Sequence, residues 1–487
     1  MNLNLKLLIK IFGIVCLVIG AGMVPCFITA YSYQEWEVMR MFVALIAIMI
    51  IIGGLSFFSE RNSNPNIRVR DGILIVAMIW ISISLLGALP YSVSGLLPNF
   101  ADAFYESVSG FTTTGTTLIS DLYLTPKSLL LWRSLTHWIG GMGILVMAIS
   151  ILPALGVGVS NLANAEVPGP AIERIKSRIS DHAKNTYLIY IAFTLICFVL
   201  LVPSRMTGFD ALIHSLDSMG NGGLAVYPNG VGYFESLYVE IVVCIFCMLG
   251  SLNFFGYRLL LQKRFKEFFR DREIRTYLLV LGFASVVTVA VLIIKGTYDN
   301  VGDAIRYGTL QVVSFSTTAG YASTNYGVWP WFCKWLLFFL MLVGGCSSST
   351  SGGLKIIRFN VILSLIRRNV YKRLHPNAVV AVKVGPSAVD ANTVSNITTF
   401  AFVYLLVMAG GIMLLSLDGQ DPWTTASAVV GAVSNTGLGF GGLADGGTWL
   451  VFSRLARMLL AGLMIIGRLE IFTIIILFTP SFWKSSR

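Results

Sequence analysis

The chain has 487 residues, of which 55% are hydrophobic and only 12% charged, with a formal net charge of +11 and a mean hydropathy of +0.77. That balance excludes a string of soluble domains and places the chain among integral membrane proteins. The surplus of Lys and Arg is dealt out over alternate loops, which argues against a nucleic-acid partner and for contact with a membrane surface.

A helix that crosses the ~30 Å hydrocarbon core needs about 20 mostly apolar residues. In chain order the sequence offers ten such stretches, at 8–30, 36–58, 73–93, 128–152, 186–202, 234–261, 277–294, 331–366, 397–417 and 450–477. The first follows MNLNLKLLIK, is too long for a removed signal and lacks a small-residue cleavage site, so it reads as a retained anchor. Basic residues fall in one set of loops: Lys6 and Lys10, then Arg61, Arg68 and Arg70, then Arg174, Lys176, Arg178 and Lys184, then Arg258 to Arg275, then Lys355 to Lys383, then Lys484 and Arg487. The intervening loops hold Asp102, Asp121, Asp210, Asp303, Asp418, Asp421 and Asp445. The positive-inside rule then puts the basic loops and both termini in the cytoplasm, the parity that ten spans require. Seven cysteines are mostly isolated in apolar runs, and the one CxxC, Cys244 to Cys247, lies within a span without a second ligand pair, so helix packing explains it better than zinc or redox chemistry.

The loops on the acidic side hold four more apolar segments, each too short to cross. They read YESVSGFTTTG ending at Gly115, IHSLDSMGNGG at Gly223, LQVVSFSTTAG at Gly320 and SAVVGAVSNTG at Gly437. One such string is an ordinary turn; four in equivalent positions are an internal repeat. Asp102, Asp210, Asp303 and Asp421 open the segments and are expected to cap helix N-termini and complement their positive dipole ends. The expectation is four re-entrant helices of about 10–14 residues, ~15–21 Å long and so roughly half the membrane. The chain returning from each must satisfy its carbonyls away from water, where an unpaired one costs several kcal/mol. A dehydrated cation does this well: four segments around one axis present rings of carbonyl oxygens in place of the hydration shell, and the negative ends of the helices point at the same ion.

The stretch 331–366 is interrupted by GGCSSSTSGG, which contributes Gly344, Gly345, Ser347, Ser348, Ser349, Thr350, Ser351, Gly352 and Gly353. Ten consecutive residues of low helix propensity predict a break. A small-residue packing face is the plainer alternative, but the length and polarity favour an intramembrane loop beneath the third segment, a candidate gate. IIGRLEIF puts Arg468 well inside the last stretch, where a cation costs about 2.5–3.5 kcal/mol and needs a cavity or polar partner. Its expected partners are the hydroxyls and carbonyls of Ser347 to Ser351. Arg133, His137, Arg454 and Arg457 read as interfacial anchors toward the outer ends of their spans. His182, His214 and His375 form no triad or metal-ligand spacing. Glu106 and Gln311 stand nine residues before their aligned glycines and are expected to support the segments by buried hydrogen bonds.

With these motifs the chain resembles the Trk/Ktr/HKT superfamily of potassium transporters, most closely its TrkH-like membrane subunits, over nearly its whole length. The resemblance implies an all-α membrane fold of ten spans and four pore helices: two additional N-terminal spans in 1–70, then pore repeats in 71–160, 161–265, 266–385 (with the gating loop 344–353) and 386–487. It implies a selectivity filter lined by the backbone of Thr112, Thr113, Thr114 and Gly115; Asn221, Gly222 and Gly223; Thr317, Thr318, Ala319 and Gly320; and Asn435, Thr436 and Gly437. In plant relatives a serine at the first filter glycine goes with sodium permeation; this chain has Gly115 there, and the presence of all four glycines favours potassium. The resemblance also implies pairing of Arg468 with the gating loop, a homodimer, and docking on a cytosolic ring of nucleotide-binding regulatory subunits of the TrkA-like kind.

Potassium uptake across the cell (inner, cytoplasmic) membrane is thus the expected function, with a coupled potassium–sodium or potassium–proton symporter as the alternative. The basic loops Arg258 to Arg275 and Arg367 to Arg373 suit anionic lipid. The chain has no GxxxxGK[ST] loop and no strand-borne GxGxxG, so no nucleotide site is assigned to it. No paired acid/base groups or metal ligands of an enzyme stand out.

Overall fold

In hydrocarbon a backbone must satisfy its own polar groups, so long apolar runs become helices and helices end only where something else takes over their free N–H and C=O groups. The computed structural model describes residues 5–59, 69–143, 179–227, 230–385, 387–444 and 448–483. Helices α1 (Leu5–Ser32) and α2 (Trp36–Ser59) form an antiparallel hairpin. Gly13 and Gly53 face each other across it, and a Cβ on either would lie 2.8 Å from the other's carbonyl oxygen, so the close approach requires glycine.

A long helix, a short helix and a closing helix then recur four times. The units are α3 (Val69–Gly87), α4 (Phe100–Phe111) and α5 (Lys127–Gly141); α6 (Ile179–Leu201), α7 (Gly208–Gly220) and α8 (Leu237–Ser251); α9 (Arg272–Ile294), α10 (Val301–Ser316) and α11 (Trp331–Val343), followed by α12 (Ile356–Leu374); and α13 (Ala391–Leu415), α14 (Pro422–Ser434) and α15 (Arg454–Arg468), followed by α16 (Phe472–Leu477). The short helices α4, α7, α10 and α14 each pack against the closing helix of their own unit and against that of the preceding one, α15, α5, α8 and α11 respectively. The last unit therefore meets the first, and the four close into a ring. Among the described residues the strands are confined to a two-residue ribbon, Lys383–Val384 against Ser387–Ala388.

Among the described residues six helices are long and apolar enough to cross a membrane: Leu5–Ser32, Trp36–Ser59, Arg70–Val93, Lys184–Leu201, Arg272–Ile294 and Ala391–Asp418; Leu237–Ser251 and Trp331–Val343 are shorter apolar helices. The chain is a multi-pass, all-α membrane protein. Three expected stretches are broken. The run 234–261 stops as α8 at Ser251 and resumes as a short turn of helix at Tyr257–Leu261, 331–366 breaks after Val343, and 450–477 breaks after Arg468. At the last break Glu470 and Ile471 have φ of 56° and 48°, a region costly for a β-branched residue. The stretch 128–152 is helical to Gly141, and its residues from 144 on lie outside the described residues, as do the basic positions Arg61, Arg68, Arg174, Lys176, Arg178, Lys484 and Arg487 and the acidic Asp445.

The capping expectation holds for one short helix of four. Asp421 accepts from the N–H of Trp423 and Thr424, both at 3.0 Å. The other caps are Asn99, Thr207 and Asn300, with Asp102, Asp210 and Asp303 three residues further on, inside the first turn. There they still complement the helix dipole.

Candidate functional site

All four short helices end in the same way. The residue two before the aligned glycine adopts left-handed geometry: φ is 57° at Thr113, 52° at Asn221, 57° at Thr318 and 54° at Asn435. Its N–H reaches back three residues, and the next N–H reaches back five, from Thr114 to Ser109 (2.9 Å), Gly222 to Asp217 (3.1 Å), Ala319 to Ser314 (2.9 Å) and Thr436 to Gly431 (2.9 Å). This is a Schellman ending with its left-handed C′ residue. Asn serves naturally in units two and four; Thr in units one and three is held there against its preference. The aligned glycine follows, again with positive φ: 84° at Gly115, 64° at Gly223, 78° at Gly320 and 69° at Gly437.

These endings meet. A Cβ on Gly115 would strike the carbonyl oxygen of Gly222; on Gly223, that of Ala319; on Gly320, that of Thr436 at 2.6 Å; and on Gly437, that of Thr114. Each glycine abuts the residue just before the glycine of the next unit, and the fourth abuts the first. The ring seen in the helix packing is thus repeated at its centre by backbone alone. Side chains tie it further: Asn435 Nδ2 donates to Thr114 Oγ1 (3.1 Å) and to the Met464 carbonyl (3.0 Å), while Thr112 with Thr114 and Ser434 with Thr436 pair through hydroxyls at 2.8 Å.

The returning segments are braced from behind. Glu106, 2% exposed, accepts from the Leu118 N–H (2.8 Å), Thr117 Oγ1 (2.9 Å) and Arg133 Nε (3.0 Å). The Gln311 amide lies 3.2 Å from the Tyr321 carbonyl and 3.0 Å from the Ser323 N–H. Arg133 and His137 are buried and carboxylate-bound, not interfacial anchors: His137 Nδ1 is 2.6 Å from Asp217 Oδ1. Arg457 likewise pairs with Asp102 at 2.8 Å, linking the fourth unit to the first.

Between α11 and α12 the chain leaves the helix at Gly344 and comes back at Gly353, with φ of 70° and 78°. Its two ends are zipped, Leu354 N–H to the Leu342 carbonyl at 3.0 Å and Lys355 N–H to the Val343 carbonyl at 2.9 Å, and Gly345 accepts from the Ile356 N–H. The intervening loop is hydrogen-bonded to its surroundings. Cys346 and Thr350 donate to the Ser251 and Gly250 carbonyls at the end of α8 (2.9 and 3.1 Å), and Ser348 accepts from the Phe254 N–H. Ser347 is held by Glu273, which takes its N–H (2.5 Å) and its hydroxyl (2.8 Å), while Ser349 donates to the Cys346 carbonyl. Bonds run directly to the short-helix endings, among them Ser351 Oγ to the Thr317 carbonyl (2.8 Å), Gly352 N–H to Thr318 Oγ1 (2.8 Å), and the Asn221 amide to Thr350 Oγ1 (2.8 Å).

Arg468 closes the arrangement. Its guanidinium donates to the Thr350 carbonyl in the loop (3.0 Å) and to the Gly140 and Gly141 carbonyls at the end of α5 (2.6 and 3.1 Å). It thereby bridges units one, three and four. Glu470, its neighbour in sequence, pairs with Arg358 of α12 at 2.6 Å. Lys355 is 6% exposed and donates to the Ser351 carbonyl, so it belongs to the buried loop and not to the cytoplasmic basic set.

The TrkH family profile, described as a cation transport protein, matches residues 38–485. The chain belongs to the TrkH cation transport family. This is a family of transporters and not of enzymes. Among curated relatives it is 34% identical to the Trk system potassium uptake protein TrkH of Halomonas elongata, over 99% of this chain and all of that protein. It is 33% identical to the protein of the same name from Escherichia coli K12, with the same coverage. Among solved structures it is similar to the crystal structure of the potassium transporter TrkH from Vibrio parahaemolyticus, with a TM-score of 0.89 and 31% identity over 99% of this chain and all of that one.

Sequence reasoning passed over Asp217 and Glu273 in this TrkH family member, and it placed Lys355 and Arg358 in a basic cytoplasmic loop. The detectable signal was position: Asp217 sits six residues before the aligned glycine, where the other units have Ser109, Ser314 and Gly431.

Proposed function

We propose that this chain carries potassium across the cytoplasmic membrane, through a pore on the axis of the four-unit ring. The observation that carries the reading is the cyclic backbone contact of Gly115, Gly223, Gly320 and Gly437 with the residues Gly222, Ala319, Thr436 and Thr114 of the next unit. Carbonyls of Thr112 to Gly115, Asn221 to Gly223, Thr317 to Gly320 and Asn435 to Gly437 replace the hydration shell of the ion. The Thr317 carbonyl also accepts from Ser351, with its second lone pair left for the ion. Membrane voltage drives the ion inward at about 2.3 kcal/mol per charge per 100 mV. The similarity to potassium uptake proteins over full length supports potassium as the cargo.

In this reading the ten apolar stretches are spans, the short helices are re-entrant from the outer face, and both termini are cytoplasmic. Loop 344–353 and Arg468 form the gate, released by a cytosolic nucleotide-binding ring of the TrkA-like kind, and two chains pair as a homodimer. The test is ion flux through the purified full chain in liposomes. Potassium influx that follows an imposed voltage without any second ion gradient, is weakly competed by sodium, and becomes sodium-permeable in Gly115→Ser supports the proposal. Influx that requires a proton or sodium gradient overturns the channel-like mechanism.

A further inference from the structure

The second filter segment is built differently from the other three. Six residues before the glycine, Ser109 and Ser314 donate through Oγ to the carbonyl just after it, Thr116 and Tyr321, both at 2.7 Å. In the fourth unit Gly431 admits the corresponding Leu438 carbonyl directly, for a Cβ there would be 2.8 Å from that oxygen. The second unit has Asp217, and a carboxylate cannot donate. It turns instead toward α5: Oδ1 takes His137 Nδ1 at 2.6 Å and Oδ2 takes Ser134 Oγ at 2.5 Å. Asp217 and His137 are both fully buried.

The same unit is exceptional one residue before the glycine. Thr114, Ala319 and Thr436 each bring a Cβ to this place, whereas Gly222 has none. The His137 ring fills the space, since a Cβ on Gly222 would fall on its Nδ1, Cε1 and Cγ atoms. The carbonyl of Gly222 is the one that abuts Gly115, so the imidazole backs the contact between the first and second segments. His137 Nε2 finds no hydrogen-bond partner among the described residues. The bond to Asp217 therefore fixes the ring.

We infer that Asp217 and His137 are specificity-determining positioning residues: the carboxylate orients the imidazole, and the imidazole sets the spacing of the Gly222 carbonyl against Gly115 and with it the preference for potassium over sodium. This rests on the filter reading above. The backbone of a filter has no side chain of its own at Gly222 to resist collapse around a smaller ion, and the borrowed ring supplies that resistance.

The experiment measures the potassium-to-sodium flux ratio of full-length protein in liposomes. Asp217→Ser uses the residue that the fold accepts at this register in units one and three, and is expected to lower the ratio about fivefold or more, the scale of coupling between contacting buried groups. His137→Ala is expected to do the same, and the double variant to be no worse than either single one. Asp217→Asn keeps an acceptor for the Nδ1 proton and should hold the ratio within about twofold of the parent. An unchanged ratio in Asp217→Ser and His137→Ala, an additive double variant, or an Asn variant as unselective as the Ser variant overturns the inference. A parent protein that passes both ions alike overturns the filter reading itself, so the two failures are distinct.

Discussion

Replacing Arg468 by alanine removes a side chain that ties the loop, the fourth unit and the end of α5 together. Of its three bonds to carbonyls, only the one to Thr350 holds the loop. A hydrogen bond to a charged group contributes about 1.5–3 kcal/mol net, so its loss shifts the population of displaced loop by about ten- to a hundredfold. The other two bonds hold the arginine itself, and losing them removes a cation from below the ring. Both effects act in one direction. Arg468→Ala is expected to raise potassium flux in liposomes containing no cytosolic partner, with Arg468→Lys intermediate, because lysine keeps the charge but cannot span three carbonyls with a planar fork. Flux equal to or below that of the parent, in a variant whose thermal unfolding in detergent matches it, would refute the latch.

Ser351→Ala deletes the bond to the Thr317 carbonyl and should loosen the loop by about 1 kcal/mol, seen as a roughly fivefold rise in basal flux. Gly437→Ala forces a Cβ into the Thr114 carbonyl at a φ of 69° and should abolish selective flux, whereas Gly462→Ala, with nothing within 4 Å of its Cβ, should be silent in the same assay. Glu470→Gln weakens the 2.6 Å pair with Arg358 and leaves a buried guanidinium undercompensated, so the melting temperature should fall more than in Arg358→Met, Glu470→Gln combined. Asp390 caps α13 through Thr393, whose hydroxyl and N–H hold its carboxyl below the ordinary 3.8. Because the folded-state value is depressed, its stabilisation is present above 3.8 and is lost as the pH falls through the lower value. Asp390→Ala should therefore melt earlier than the parent at neutral pH and converge with it in acid.

The short helices and their glycines were legible in the sequence because both signals are local. An apolar run of a dozen residues ends where small and polar residues begin, and a glycine after them marks a backbone that needs positive φ. The loop at Gly344 to Gly353 was legible for the same reason. Charged partners were not. Asp217 with His137, Glu273 with Ser347 and Arg358 with Glu470 are separated by 80, 74 and 112 positions, and a charge rule applied along the chain assigns such residues to loops or interfaces. The capping error had a different origin: Asn99, Thr207 and Asn300 precede the aspartates by three residues, and an acidic first turn and a cap give similar sequence cues.

The seam between the first and fourth units has a consequence for biogenesis. Asn435 reaches Thr114 across 321 positions, so during synthesis the short helix of the first unit waits for that of the fourth before the circle can shut. Loop-closure entropy makes so distant a contact a late event. Until then Glu106 and Arg133, already within one unit, neutralise each other locally, while Asp102 stays without Arg457. Truncated or stalled chains would therefore present an open arc in which Asp102 lacks its Arg457 partner.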